Sequence, residues 1–277
     1  MKKGLVMALS LTLVLSFAAC GNNGTTDSSA SSEEVSSVAS ESKDDASVES
    51  TEEVSSETEN TDVAGETVMS YADYVAAELE SPVVIEAYVQ AHQSWWDNKI
   101  TVYAADEDGA YFIYNMTCSE EDSAKLVPGT KIKVTGYKTE WSGEVEIAEG
   151  ATFEIEDGSY IAEATDVTDL LGTDDLINYQ NQFVSFQGMT VEESEGGAAF
   201  LYNWDGSGSA DSNSDLYFNV SLNGQTYTFT VESYLCDNTT DVYKTVEGLK
   251  VGDVIDMEGF LYWYNGVNPH ITNVTVK

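Results

Sequence analysis

The chain has 277 residues and is strongly acidic, with 49 Asp or Glu against 11 Lys or Arg and a formal net charge of −38. Every basic residue is Lys, and residues 67–277 alone carry 36 Asp or Glu against eight Lys. Because proteins hold phosphate backbones mainly through Lys and Arg, this balance predicts that nucleic acid is disfavoured as a partner.

The N-terminus has the composition of an export signal. Two lysines follow Met1, an apolar run covers residues 4–17, and two alanines precede Cys20. The run is shorter than the ~20 residues of a membrane-spanning helix and is typical of a cleaved signal. Small residues before a lone Cys resemble the lipobox of bacterial lipoproteins. The resemblance implies that residues 1–20 are a lipoprotein signal and that a lipid on Cys20 anchors the mature chain to the outer face of the cell membrane; plain secretion is the alternative.

Residues 21–66 consist largely of Ser, Thr, Glu and Asp, with hardly an aromatic or large aliphatic side chain. Such a segment cannot bury enough apolar surface to offset the entropy that it would lose on ordering. We therefore predict a disordered, acidic, Ser-rich linker that holds the following domains away from the membrane.

The rest of the chain contains an internal repeat. The segments "TGYKTEWSG" (135–143) and "EGFLYWYNG" (258–266) are similar, and the likeness extends upstream at identical spacing. The matched positions are Leu126 with Leu249, Gly129 with Gly252, Ile132 with Ile255, Val134 with Met257, Gly136 with Gly259, Tyr137 with Phe260 and Gly143 with Gly266. Self-similarity at fixed spacing indicates duplication, and we assign residues 67–160 to a first domain and 161–277 to a second.

Each half predicts the same order of strands. An alternating strand comes first, and in the second half Gly188 predicts a bulge within it. A hairpin follows, with its turn at Asp108-Gly109 in one half and at Asn223-Gly224 in the other. These dipeptides supply the positive φ angles that tight hairpin turns require. Two further strands complete each half.

Short helices are predicted between these strands and ahead of each barrel. Ser119 and Thr240 are N-cap candidates for a helix after the third strand of each half. Ser70 and Thr173 begin helices that we expect to lie over the barrel ends, because helices this short are stable only when packed. The predicted apolar face of the Ser70 helix consists of Tyr71, Tyr74, Val75 and Leu79.

The order strand, strand, strand, helix, strand, strand resembles the OB-fold, a five-stranded Greek-key barrel. Residues 126–136 read Leu-x-x-Gly-x-x-Ile-x-Val-x-Gly and resemble the fourth strand of bacterial OB-fold proteins. With its lipobox, the chain resembles Gram-positive bacterial lipoproteins with tandem OB-fold-like domains, a group from which no activity can be carried over. We predict an all-β fold with short helices: two tandem five-stranded OB-fold-like Greek-key barrels after a disordered linker.

The tryptophans lie where OB-folds bind ligands, on the loops between strands one and two and between strands four and five. The predicted ligand-binding residues are Trp95, Trp96, Trp141, Trp204, Tyr262, Trp263 and Tyr264. Flat aromatic rings stack on sugars or peptides and attract cations, so we expect a carbohydrate or peptide ligand. Packing within the barrels is the alternative for each ring.

A second candidate site lies in the insertion "NWDGSGSADSNSD" (203–215). Asp211, Asn213 and Asp215 have the one-three-five spacing of oxygen ligands in calcium loops, and Asp205 is a fourth candidate ligand. The pattern lacks the Gly at position six and the Glu at position 12 of an EF-hand loop. A solvated loop without metal is therefore the alternative, and no other cofactor is indicated.

The two cysteines beyond Cys20 fall at corresponding places. Cys118 and Cys236 each come at the end of the predicted third strand of their half. Equivalent positions favour two buried thiols, although export permits a disulfide between them, within one chain or between two.

Catalysis has little support in the sequence. His92 and His270 are the only histidines, and neither belongs to a recognisable nucleophile or metal-ligand motif. We predict a lipid-anchored, non-catalytic binding or adhesion module at the cell surface. The alternatives are nucleic-acid binding by the OB-like barrels, through bases stacked on aromatic rings, and a surface hydrolase.

Overall fold

The computed structural model describes residues 67–277. The predictions of a signal sequence, a lipidated Cys20 and a disordered linker over residues 21–66 lie outside the described residues. Within residues 67–277, no helix has the length and hydropathy needed to cross a membrane. This part of the chain forms two closed barrels, named barrel 1 and barrel 2 in chain order.

Barrel 1 is closed by five strands. The elements of the first half are α1 (Tyr71–Ala76), β1 (Pro82–His92), β2 (Lys99–Ala105), β3 (Ala110–Thr117), α2 (Glu120–Ser123), β4 (Thr130–Trp141), β5 (Glu144–Ile147) and β6 (Thr152–Ser159). The strands are ordered β1-β2-β3-β5-β4, and β4 returns to pair with β1. Strands β3 and β5 pair in parallel, while β6 pairs with β4 as an additional strand. The first half thus has the predicted order.

Barrel 2 repeats this topology. Its strands and helix are β7 (Thr165–Asp166), β8 (Phe183–Glu192), β9 (Leu201–Tyr202), β10 (Leu216–Leu222), β11 (Gln225–Val231), α3 (Asp241–Glu247), β12 (Val254–Phe260) and β13 (His270–Val276). Four 3-10 helices cover Thr168–Leu170, Asp174–Tyr179, Glu195–Gly197 and Ala210–Ser212. The ring β8-β12-β13-β11-β10 closes through pairing of β10 with β8. Strands β1 to β5 therefore correspond to β8, β10, β11, β12 and β13.

The repeated glycines have matching backbone roles. Gly129 and Gly252 have φ angles of 91° and 92°, in the left-handed region that glycine adopts without steric cost. At Gly136 a Cβ atom would lie 2.7 Å from Ile147 Cγ2, and at Gly259 it would lie 2.3 Å from the His270 carbonyl oxygen. The two halves therefore agree in backbone conformation at these glycines and in strand order.

Both predicted hairpins form, but only one of the two turns has the predicted positive φ angles. Asn223 and Gly224 have φ angles of 53° and 82°, as a tight turn between β10 and β11 requires. Neither Asp108 nor Gly109 has a positive φ. Instead, Asp106 Oδ1 accepts hydrogen bonds from the backbone N–H groups of both residues, at 2.8 and 2.7 Å, so a side chain organises this turn.

The bulge predicted at Gly188 is present. Gly188 has a φ of 64°, and the register between β8 and β12 shifts between Ile255 and Met257 on the partner strand. The extra residue on β8 at this bulge bends the strand locally.

Three of the four predicted caps form. Ser70 makes a capping box with Asp73 at α1, Ser119 Oγ accepts from Asp122 N at 3.1 Å, and Thr240 Oγ1 accepts from Tyr243 N at 3.4 Å. Thr173 makes no cap, and the segment after it is a 3-10 helix.

The apolar face predicted for α1 is only partly buried. Tyr74 packs into the core of barrel 1, and Tyr71 packs against the same core. Val75 and Leu79 are 55% and 49% exposed. Since α1 ends at Ala76, Leu79 is not on the helix at all, and this part of the prediction is wrong.

The barrels pack against each other through an aromatic cluster. Tyr103 and Phe112 of barrel 1 and Phe260 of barrel 2 form this cluster, and each is at most 4% exposed. The rings of Tyr103 and Phe260 stack with centroids 4.3 Å apart. Tyr137, the repeat counterpart of Phe260, is 58% exposed, so the duplicated position has an interface role in one barrel only.

Both remaining cysteines are buried free thiols. Cys118 belongs to the core of barrel 1 and Cys236 to the core of barrel 2. The prediction of two buried thiols is confirmed, but Cys118 directly follows β3 whereas Cys236 lies further on from the end of β11 at Val231. The alternative disulfide within one chain is not formed, and a disulfide between two chains stays a prediction.

Candidate ligand-binding groove

An open groove of about 390 Å³ lies between strands β2 and β3 of barrel 1 and the segment that follows β11 in barrel 2. Three rings at this groove are exposed: Trp96 at 68%, Tyr114 at 41% and Tyr234 at 65%. We call this surface the aromatic groove, defined by Trp96, Tyr114, Tyr234, Gln93, Lys99 and Asn115. Rings that project into an open groove are free to stack on a ligand.

Backbone hydrogen bonds fix the positions of two of these rings. Trp96 and Lys99 exchange backbone hydrogen bonds of 3.0 and 2.9 Å across a tight turn, which holds the Trp96 ring at the edge of the groove. The backbone N–H of Ser94 donates to the Tyr234 carbonyl oxygen at 2.7 Å. The two walls of the groove therefore belong to different barrels and are tied together.

Polar groups on the groove are largely paired. Lys99 Nζ forms an ion pair with Glu149, and Asn115 Nδ2 donates to the same carboxylate at 3.3 Å. Gln93 Nε2 donates to Glu232 Oε2 at 3.1 Å. The one lysine of the groove is thus neutralised, and the surface presents rings, amides and hydroxyls.

Trp95 does not join its neighbour on this surface. Its indole packs against the core of barrel 1, and its Nε1 donates to the Cys118 carbonyl oxygen at 2.9 Å. The indole N–H thus holds the residue that follows β3, and ligand contact by Trp95 stays a prediction.

Tyr262 and Trp263 also have packing roles. Tyr262 stacks on His270 with centroids 4.4 Å apart. Trp263 packs against the core of barrel 2, its backbone N–H donates to Glu144 Oε2 at 2.8 Å, and its ring meets Gly143 of barrel 1. The loop of Trp263 and the loop of Gly143 therefore contact each other, and ligand contact by Tyr262 and Trp263 stays a prediction.

The other three predicted rings are exposed but lie elsewhere. Trp141, Trp204 and Tyr264 are 61%, 75% and 53% exposed, and none of them lines the aromatic groove. Sequence reasoning missed Tyr114 and Tyr234. Tyr114 lies on β3, on the face that OB-folds use for ligands, so its position on the third predicted strand could have indicated its role. Tyr234 reaches the groove only because the barrels pack together, which no local pattern predicts.

Three buried carboxylates near the interface were also missed. Burial raises the pKa of Glu144 to about 8, and burial raises the pKa of Glu146 and of Glu232 to about 7. Trp263 and Gln180 from the second half both donate to Glu144 Oε2. The segment "GEVEI" gives no sign of burial, since acidic residues that alternate with apolar ones read as the solvated face of a strand.

The proposed calcium ligands have separate hydrogen bonds. Asp205 Oδ1 accepts from Ser207 N, Asn213 Oδ1 accepts from Asn238 N, and Asp215 Oδ1 accepts from the N–H and hydroxyl of Ser233. Asp211 is exposed. Across residues 67–277, no three His, Cys, Asp or Glu side chains are grouped so as to hold a metal, and calcium binding stays a prediction.

The histidines have structural surroundings. His270 is buried, and desolvation lowers its pKa to about 3, so the imidazole is neutral at physiological pH. Its Nδ1 lies 2.6 Å from Tyr103 Oη. His92 Nδ1 contacts the Gln93 carbonyl oxygen at 2.7 Å.

Comparison with known proteins finds similarity of fold only. No family model matches the chain, and no curated protein matches it in sequence. Among solved structures, the p204 HINb domain is 12% identical with a TM-score of 0.32, and the match covers 72% of this chain and 98% of that one. The Ifi202 HINa domain in complex with 20-bp double-stranded DNA is 14% identical with a TM-score of 0.32, over 72% and 96% of the two chains. A murine DNA-binding protein bound with double-stranded DNA is 11% identical with a TM-score of 0.35, over 71% and 96%.

These structures correct one expectation about partners. Net charge alone predicted that nucleic acid is disfavoured, yet two of the similar structures contain double-stranded DNA. The prediction that nucleic acid is disfavoured as a partner is therefore withdrawn.

Proposed function

We propose that residues 67–277 form a non-catalytic binding module that takes its ligand in the aromatic groove. The observation that carries the proposal is the convergence of three exposed rings on one open groove. The rings come from three separate segments: the β1–β2 loop, strand β3 and the segment after β11. Grouped exposed apolar surface with a polar rim is typical of interaction sites.

An oligosaccharide is the ligand class that the chemistry of the groove fits best. Sugar rings present flat C–H faces to Trp and Tyr, and their hydroxyls pair with amides such as those of Gln93 and Asn115. The pairing of Lys99 with Glu149 leaves no free cation in the groove, which favours a neutral ligand.

Nucleic acid is the second candidate. Trp96 and Tyr114 lie on the loop and strand that OB-folds use to bind oligonucleotides, and bases of any sequence stack on aromatic rings. The chain has no Arg, so stacking rather than phosphate contact would supply the affinity. We therefore expect any such binding to strengthen with Mg²⁺, in contrast to the steep loss with salt that Lys- and Arg-dominated complexes show.

One titration series tests both candidates. Residues 67–277 are titrated with fluorescently labelled neutral oligosaccharides and with single- and double-stranded oligonucleotides, with and without Mg²⁺. The variants are Trp96→Ala and Tyr234→Ala, and Trp204→Ala is the matched control because Trp204 is at least as exposed but lies outside the groove. Loss of one stacking ring should lower affinity about tenfold. The proposal is wrong if neither class binds, or if the control loses as much affinity as Trp96→Ala.

We propose further that the protein is exported and held on the outer face of the cell membrane by a lipid on Cys20. The support is the charged start, the short apolar run and the small residues before Cys20. In a Gram-positive host, the wild-type chain should incorporate a labelled fatty acid and sediment with membranes. Cys20→Ala should lose the label, and unchanged labelling of that variant would contradict the proposal.

A further inference from the structure

Glu232 is a buried carboxyl group beside the aromatic groove. It follows β11, which ends at Val231, and it is 8% exposed. Glu232 does not line the groove, but Gln93 and Tyr234 do. Glu232 Oε2 accepts from Gln93 Nε2 at 3.1 Å, and Glu232 Oε1 accepts from the Tyr234 backbone N–H at 3.0 Å. One carboxyl group thus binds one residue from each wall of the groove.

The contact with Glu232 decides which end of the Gln93 side chain is left for a ligand. An amide has an oxygen that accepts hydrogen bonds and an NH₂ group that donates them. Because Nε2 donates to Glu232, Oε1 is the end that remains for a ligand. A hydrogen bond to an ionised carboxylate is about twice as strong as one between neutral groups. An ionised Glu232 therefore fixes the amide with its oxygen available.

A proton on Glu232 reverses this arrangement. Oε1 already accepts from the Tyr234 N–H, so the proton goes to Oε2 and makes that oxygen a donor. Two donors, Glu232 Oε2–H and Gln93 Nε2–H, then face each other. A half turn of the Gln93 amide removes the conflict, because its oxygen then accepts from Glu232. The NH₂ group becomes the end that is left for a ligand.

The surroundings of Glu232 let it change charge near neutral pH. Burial, together with the charge of Asp215, raises the pKa of Glu232 to about 7. The titratable groups that face it are Tyr103 of β2, Asp215 and Tyr217 at the start of β10, Cys236 after β11 and Tyr262 after β12. Burial raises the pKa of the three tyrosines and of the thiol well above neutral pH. His270 of the neighbouring strand β13 is buried, and desolvation lowers its pKa to about 3. The tyrosines, the thiol and the imidazole thus stay neutral while Glu232 changes charge.

We propose that Glu232 is a positioning residue whose charge sets which end of the Gln93 amide the aromatic groove presents to its ligand. This inference rests on the proposed binding in that groove and adds a means of regulating it. In alkali the groove presents an acceptor that a charge-assisted hydrogen bond holds in place, and in acid it presents a donor. A neutral ligand whose hydroxyls donate to Gln93 should therefore bind more tightly above pH 7 than below it.

The reversal of the amide is tested in the free full-length protein, so this result does not depend on finding a ligand. The side-chain NH₂ signals of Gln93 are identified by their loss in Gln93→Met and are followed by ¹H–¹⁵N NMR from about pH 5 to pH 9. We expect one transition near the Glu232 pKa of about 7. Glu232→Gln should abolish the transition. The new amide keeps an acceptor for the Tyr234 N–H and presents a permanent donor to Gln93, as the protonated acid does.

Two control variants remove other groups that titrate nearby. His92 Nδ1 contacts the Gln93 carbonyl oxygen at 2.7 Å, and histidines ordinarily titrate in this range, so His92→Gln is the first control. Glu144→Gln removes another buried carboxyl group, whose pKa is about 8. The Gln93 transition should persist in both variants. The inference is overturned if the wild type shows no transition, if Glu232→Gln retains it, or if either control abolishes it.

Binding measurements separate this inference from the proposed function. Cellohexaose and maltohexaose are the neutral probes, and calorimetry gives their affinities at about pH 5.5 and pH 8.5. A probe whose binding Trp96→Ala weakens should bind the wild type about two- to tenfold more tightly at the higher pH. Its affinity for Glu232→Gln and for Gln93→Met should be the same at both pH values.

The two failures are distinguishable. A Gln93 transition in a protein that binds neither sugars nor oligonucleotides supports the positioning role of Glu232 and contradicts the proposed function. A probe that binds in the groove with equal affinity at both pH values supports the proposed function and overturns its regulation by Glu232. A carboxyl group with a purely structural role would change stability on substitution without moving the pH profile of Gln93.

Discussion

Tyr103 Oη of barrel 1 lies 2.6 Å from His270 Nδ1 of barrel 2, and both side chains are buried. This hydrogen bond is the polar centre of the aromatic cluster that joins the barrels. Tyr103 also stacks on Phe260, so one residue of β2 supplies apolar and polar contact to the second barrel. The duplicated barrels therefore behave as one folded body with a groove along their junction.

Removal of this hydroxyl should destabilise the protein. In Tyr103→Phe the Nδ1 of His270 is left buried without its partner, and we expect a loss of about 1–3 kcal/mol in the free energy of unfolding, measured by urea denaturation. Tyr137→Phe is the control, because its ring is 58% exposed and surface changes stay within about 0.5 kcal/mol. Equal stabilities of the two variants would show that the hydrogen bond contributes nothing.

Stability should fall as pH rises from 6 to 9. Burial raises the pKa of Glu144 from 4.5 to about 8, and that of Glu146 and Glu232 to about 7. Above pH 4.5 the folded state therefore holds protons that the unfolded chain has already released. The stability that these neutral carboxyl groups contribute is complete below pH 4.5 and is lost as the pH rises through the folded-state pKa values. We expect the free energy of unfolding to drop by about 2–5 kcal/mol across this range. A flat profile in urea titrations would contradict the burial of these groups.

Glu144→Gln should make the protein less sensitive to pH. The amide keeps an oxygen for the Trp263 N–H and cannot ionise, so the variant should be more stable than the wild type at pH 9 and should show about half of its pH slope. Glu140→Gln changes an exposed carboxylate and should leave the slope unchanged. The account fails if Glu144→Gln is less stable than the wild type at pH 9.

A repeated glycine should be intolerant of a side chain. A Cβ atom at Gly259 would lie 2.3 Å from the His270 carbonyl oxygen, so in Gly259→Ala the pairing of β12 with β13 must shift, at a cost of about 1–3 kcal/mol. At Gly248, which ends α3, the nearest atom would be 3.4 Å away, and Gly248→Ala should change stability by less than about 1 kcal/mol. Thermal unfolding of the two variants checks this, and similar midpoints would contradict it.

Much of the fold could be predicted because its signals are local or periodic. The matched glycines of residues 126–143 and 249–266 indicated the duplication, and the capping side chains of Ser70, Ser119 and Thr240 marked helix starts. Strand order followed from these elements. Each of these signals acts on the backbone within a few residues, so it does not depend on how distant parts of the chain pack.

The site could be predicted only in part because it depends on how the barrels pack. Trp96 was found from its loop, but Trp95 beside it packs against the core of barrel 1, and nothing in the dipeptide distinguishes the two rings. Trp263 was predicted to contact a ligand because the sequence does not show its real neighbour. Its ring packs against Gly143 of barrel 1, a contact that exists only when both barrels are folded together. Tyr234 joins the groove for the same reason, since its carbonyl oxygen accepts from Ser94 across the junction.

The most direct test of binding in the aromatic groove is to follow the indole N–H signals of the five tryptophans by ¹H–¹⁵N NMR during titration with the oligosaccharide or oligonucleotide that binds. We expect the Trp96 signal to shift progressively to saturation while the signals of Trp141 and Trp204 stay in place. A shift of Trp141 or Trp204 with an unmoved Trp96 signal would place the ligand elsewhere and contradict the account.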